Sequence, residues 1–128
     1  MDYTIGKKVN KTFTGAVEAL TEELKKEGFG VITEIDLKEK FKEKLGVDFR
    51  NYKILGACNP GLAYKAVQVE PNIGAMLPCN VLVQQKENGE VEIAAINPLN
   101  SIGAIENEQL QSLAQEVSKK LQLVIDRL

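Results

Sequence analysis

The sequence predicts an α+β domain: a largely antiparallel β-sheet with two main helices packed on one face, in β-α-β(4)-α order with short extra helices. Three observations carry this reading. Residues 13–24 and 110–128 each repeat apolar side chains at helical spacing. Four short segments of period-two alternation lie between them. Asn88-Gly89 then joins the last two of these segments as a hairpin turn would.

Taken in order, residues 2–9 alternate, with Tyr3, Ile5 and Val9 opposite Asp2, Thr4 and Lys8, and predict a half-buried first strand. Thr12 can cap the helix in which Phe13, Ala16, Val17, Leu20 and Leu24 share a face, and Gly28 stops it. Phe29 to Leu37 alternates again, with Phe29, Val31, Ile35 and Leu37 on one side, and predicts the second strand. Asp36 can cap the segment LKEKFKEKLG, where Leu37, Phe41 and Leu45 recur every four residues. Its lysines are interleaved with Glu39 and Glu43, which marks a solvated helix face rather than a binding patch.

The stretch from Tyr52 to Val83 organises the chain. Tyr52, Ile54, Gly56 and Cys58 alternate with Lys53, Leu55 and Ala57 as a strand. Asn59 offers a capping oxygen, and Pro60 sits where its fixed φ suits a first helical residue, so a short helix starts there and ends before Pro71. Pro78 suits the start of a return strand in which Cys79, Val81 and Val83 alternate with Asn80, Leu82 and Gln84. So few polar residues predict burial on both faces. A type I′ turn at Asn88-Gly89 makes the fourth and fifth strands antiparallel neighbours. Pro98 to Gly103 reads as a loop, and Asn107 or Glu106 opens the last helix.

At 128 residues the chain is the size of one domain, residues 1–128, long enough to bury roughly two-thirds of its unfolded surface. Hydrophobic content of 44% with 27% charged residues suits a globular protein, and no apolar run approaches the ~20 residues of a membrane span. The first ten residues hold no apolar signal-peptide core, so a cytoplasmic location is expected and no membrane contact. A net charge of −2, with only Arg50 and Arg127 as arginines, argues against nucleic acid as a partner. Histidine is absent, which excludes Ser-His-Asp and Cys-His chemistry within the chain and every zinc site that needs imidazole.

Two cysteines without a signal sequence read as reduced thiols. Cys58 stands just before a helix start, where the partial positive charge favours thiolate, and a reactive cysteine can be made there. Cys79 begins an apolar strand 21 positions later. If the two strands are antiparallel neighbours, both thiols lie at the same end of the sheet. Asn59, Asn80 and Glu70, each beside a proline-fixed bend, complete a candidate ligand set: Cys58, Asn59, Glu70, Cys79 and Asn80. Two thiolates and a carboxylate form a possible soft-metal site, although no CxxC pair is present. Each residue also has a structural role open to it: the cysteines as small apolar core residues, Asn59 as a helix cap, Asn80 as a strand residue, Glu70 as an exposed helix-end carboxylate. Gly28-x-Gly30 lacks the third glycine of a nucleotide fingerprint, and the Gly56 to Gly61 spacing lacks the Lys-Ser/Thr of a phosphate loop.

The runs GACNPGLAYKA and EPNIGAMLPCNVLV, the Asn-Gly hairpin, the INP motif and VITEIDLKEKFKEKLGVDFRNYKILG resemble the family known as domain of unknown function 302, over nearly the whole chain. The resemblance implies a β-α-β4-α fold grouped with TATA-binding-protein-like folds, usually dimeric, with no established activity. It does not imply DNA binding. The chain departs from the usual pattern at Tyr64, where many members carry His, at Gly61 for Pro, Asn97 for Asp and Ser101 for Met.

The reading that follows is a cytoplasmic homodimer whose pocket, formed by Cys58, Asn59, Glu70, Cys79 and Asn80, binds a small ligand or a soft metal ion. One alternative is a thiol redox or sulfur-handling enzyme, with Cys58 as nucleophile and Cys79 as resolving thiol. The other is a structural interaction module with both cysteines in its core.

Overall fold

Among the described residues, each of the four α-helices begins at a residue whose side chain serves the helix's free N–H groups. The computed structural model describes residues 2–128. Thr12 Oγ1 accepts from Gly15 N at 3.0 Å and starts α1 (Phe13–Lys26). Asp36 accepts from Glu39 N at 3.0 Å and starts α2 (Leu37–Leu45). Asn59 starts α3 (Pro60–Val69), and Asn107 starts α4 (Glu108–Asp126) by accepting from Gln109 N and Leu110 N. Each such cap stabilises its helix by about 1 kcal/mol. Gly28, at φ +82°, takes the left-handed position that ends α1.

The strands are β1 (Thr4–Val9), β2 (Gly30–Asp36), β3 (Tyr52–Cys58), β4 (Cys79–Gln85) and β5 (Val91–Ile96). They form one sheet in the order β1-β5-β4-β3-β2, with every neighbouring pair antiparallel. Leu55, Val81, Val83 and Ile93 point to the face that α1 and α4 cover, and Leu20, Leu24, Leu121 and Val124 close over them. Leu20, Val81, Val83, Ile93 and Leu121 are fully buried, each worth roughly 1.5–3 kcal/mol in transfer from water. A second, smaller cluster lies under α3: Ala66, Ile73, Ile102, Leu110 and Ala114. Two short 3-10 turns, Pro98–Asn100 and Ile102–Ala104, carry Ile102 into it. Among the described residues no helix is long and apolar enough to cross a membrane.

The expected element order is found, with three local differences. The second strand begins at Gly30 and ends at Asp36, and a bulge between Val31 and Thr33 resets its alternation. Val31 therefore pairs with Ala57 on the helix face, whereas Ile35 pairs with Ile54 on the opposite face. Second, β4 is buried on one face only: Asn80 is exposed, and Leu82 and Gln84 are half-buried, because α1 and α4 cover the other side and α2 packs only at the β2–β3 end of this one. Third, the β4–β5 hairpin has positive φ at Gly89 alone, so it is not a type I′ turn. Gly89 N donates to Lys86 O at 2.9 Å, and Asn88 Oδ1 accepts from Glu90 N at 3.0 Å, which makes a longer loop closed by a left-handed glycine.

Candidate functional site

β3 and β4 run antiparallel, so the last residue of one and the first of the other meet at one end of the sheet. Ala57 pairs with Cys79, and Cys58 follows one residue later. The pleat then sends the two cysteines to opposite faces: Cys79 joins Ala57 beneath the helices, and Cys58 joins the row of Gly56 and Ile54. Cys79 is 7% exposed and Cys58 half-buried, and both are free thiols. Burial pushes the Cys79 thiol up to about 11, helped by the nearby Cys58, because a thiolate there has little water to solvate it.

Above this end of the sheet lies a slot with a volume of about 30 Å³. Its floor is Ala57 and Cys79, its walls are Leu62 and Ala66 of α3 and Ala114 and Val117 of α4, and Cys58 and Asn59 stand at its rim. The slot follows the seam between the two apolar clusters, since Leu62, Cys79 and Val117 belong to one and Ala66, Ile102 and Ala114 to the other. It exists because small residues meet there: Ala57, Ala63, Ala66 and Ala114 stand where larger side chains would close it. The space exceeds the roughly 10–15 Å³ that one water needs, but a water also needs two to four polar partners, which these walls do not supply.

The five candidate residues do not converge on one point. Cys58, Asn59 and Cys79 border the slot. Asn59 is committed to structure: its Oδ1 accepts from Leu62 N at 3.3 Å, and its Nδ2 donates to Glu27 O at 3.4 Å, tying the start of α3 to the end of α1. Glu70 lies at the far end of α3, where its Oε1 accepts from Asn72 N at 3.0 Å and caps the 3-10 turn Pro71–Met76. Asn80 pairs with Gly56 on the face opposite α1 and α4. Among the described residues no three His, Cys, Asp or Glu side chains are grouped to hold a metal ion. Among the slot residues that the motif reading left out are Leu62, Ala66, Leu77, Ala114 and Val117. Ala114 is the one small residue in the core-facing run of Leu110, Leu113, Val117 and Leu121, and that dip in size is the sequence signal for a gap.

The model of the domain of unknown function DUF302 matches residues 5–128. The chain belongs to the DUF302 family. The fold of this DUF302 domain is similar to the crystal structure of an uncharacterised conserved DUF302 protein from Bacillus stearothermophilus, with a TM-score of 0.91 and 32% identity over 99% of this chain and 98% of that one. It is also 35% identical over 60 residues to an uncharacterised protein of Aquifex aeolicus, a match covering 47% of this chain and 41% of that protein. The position where many members carry histidine is Tyr64, which is 67% exposed on α3 and is not among the residues lining the slot.

Proposed function

We propose that this DUF302 domain binds a small, predominantly apolar ligand whose end group enters the slot between α3, α4 and the cysteine end of the sheet. The observation that carries the reading is the slot itself: a gap with apolar walls on the seam of two clusters, at the end of the sheet that carries both cysteines. Its walls select against ions, and its volume accepts a methyl-sized or ethyl-sized group without rearrangement. Cys79 serves as a neutral, polarisable wall, and Cys58 stands where the rest of a ligand would leave the slot.

A soft metal ion is a weaker occupant. Only two thiols are at hand, their side chains leave the sheet on opposite faces, and Cys79 holds its proton strongly. The same facts weigh against a resolving role for Cys79 in thiol redox chemistry, since attack requires thiolate. The test is a series of nitrogen-15 NMR titrations with n-alkyl alcohols of increasing chain length. Shifts confined to Leu62, Ala66, Ala114 and Val117, strengthening with chain length and lost in Ala63→Met, support the reading. Shifts scattered over the surface, or indifferent to Ala63→Met, refute it.

A further inference from the structure

The slot ends against a second, larger space. Between α3 and α4 lies an open hollow of about 650 Å³, and Leu113 lines both it and the slot. Leu113 is half-buried on α4 and packs on both apolar clusters, so its side chain is the partition between the two spaces. The spaces differ in chemistry. The slot has apolar walls, whereas the hollow is lined by Lys65 and Gln68 of α3 and by Gln109, Ser112 and Glu116 of α4, with Val69 and Leu113 as its apolar part.

The charged groups of the hollow are uncommitted. Among the described residues, Lys65 and Glu116 stand on opposite helices and form no ion pair with each other or with a neighbour. The rim at the other end of the slot is the reverse case: the side-chain amide of Asn59 is engaged at both its oxygen and its nitrogen. A polar head group therefore finds partners at the Leu113 end and few at the Cys58 end. We propose, resting on the slot as a ligand site, that the ligand is an amphiphile that enters from the hollow. Its alkyl tail passes Leu113 into the slot, and its head, a zwitterion, stays between Lys65 and Glu116. A rotamer change at the half-buried Leu113 opens the way. Tail carbons beyond the slot's length leave it past Cys58.

The charge pattern of the hollow sets the head. A lone carboxylate is attracted by Lys65 but repelled by Glu116, and a lone ammonium meets the opposite pair of forces. A head that carries both charges gains from each, and Gln68, Gln109 and Ser112 can donate to it or accept from it. The ligand class is accordingly an α-amino acid with a straight aliphatic side chain. Both charged residues are exposed, so each contact contributes modestly, and burial of the tail supplies the rest of the affinity.

Nitrogen-15 NMR titrations of the full chain at neutral pH with 2-aminooctanoate, octanoate, octylamine and octan-1-ol hold the tail constant and vary the head. 2-Aminooctanoate is expected to bind roughly fivefold more tightly than octanoate or octylamine, and to shift the amides of Lys65, Ser112 and Glu116 together with those of Ala66 and Ala114. Glu116→Gln should weaken 2-aminooctanoate and strengthen octanoate, and Lys65→Gln should weaken 2-aminooctanoate and strengthen octylamine. A merely structural role for either residue would move all the ligands together. Ala63→Met, which fills the slot, should abolish both sets of shifts. Equal affinity for the four heads, or shifts in the hollow that survive Ala63→Met, overturns the proposal, and octan-1-ol shifts at Ala66 and Ala114 then leave the slot standing as a ligand site. Loss of every titration, octan-1-ol included, overturns both.

Discussion

Raising the pH above 9 should destabilise this protein through one buried thiol. Cys79 is 7% exposed beneath α3 and α4, and burial carries its thiol from an ordinary value of 9.0 to about 11. The neutral form is the one the fold favours. Below about pH 9 both folded and unfolded chains keep the proton, and Cys79 contributes no pH dependence. Between about 9 and 11 the unfolded chain has lost the proton that the folded chain retains, so stability falls as pH rises. Two pKa units correspond to about 2 to 3 kcal/mol by pH 11, a large share of a typical folding free energy. Urea midpoints measured from pH 8 to 11, for wild type and for Cys79→Ala, isolate this effect from that of every other group. The wild-type midpoint should fall more steeply by that amount. Alkylation reads the same property at pH 8, where a thiol of pKa about 11 is ionised roughly 90-fold less than one at 9.0. Mass spectrometry should find Cys58 labelled first and Cys79 nearly untouched until the protein unfolds. Parallel midpoint curves, or equal labelling of the two thiols, would refute the burial argument.

Three further outcomes follow from local geometry. Asn59→Ala removes the α3 cap and the bond to Glu27 O, and should cost about 1 kcal/mol in urea denaturation; an unchanged midpoint would show that neither bond matters. Gly56→Ala places a Cβ against Thr33 Oγ1 and 2.7 Å from Pro78 Cγ, and is expected to cost about 1–3 kcal/mol, read as a lowered melting temperature. Gly89→Ala meets open space but keeps φ at +89°, so its cost of about 1 kcal/mol should appear as early hydrogen exchange in the β4–β5 hairpin rather than as a packing defect elsewhere.

Most of the fold was legible because its signals are local. Thr12, Asp36, Asn59 and Asn107 announce their helices by capping chemistry, Pro60 and Pro71 bracket α3, and Asn88-Gly89 marks the hairpin. What sequence pattern could not supply was anything decided by neighbours. The bulge beside Ile32 depends on how β2 meets β3, and it moved Ile35 to the other face. Apolar alternation in β4 cannot say whether Leu82 meets a helix or the open face. The candidate site was half legible for the same reason. Two cysteines at one end of adjacent strands followed from strand order, but which face each thiol takes depends on register. Glu70 and Asn80 looked like partners for them only while the length of α3 and the pleat of β4 were left out. The slot arises where four alanines of β3, α3 and α4 meet, and no single segment shows it.

The most direct test of the ligand reading is diffraction from crystals pressurised with xenon, an inert, polarisable atom that enters dry apolar cavities. The slot predicts one strong xenon peak between Leu62, Ala66, Cys79 and Val117, absent in Ala63→Met. A slot that stays empty under pressure, or that holds an ordered water in its place, would contradict it.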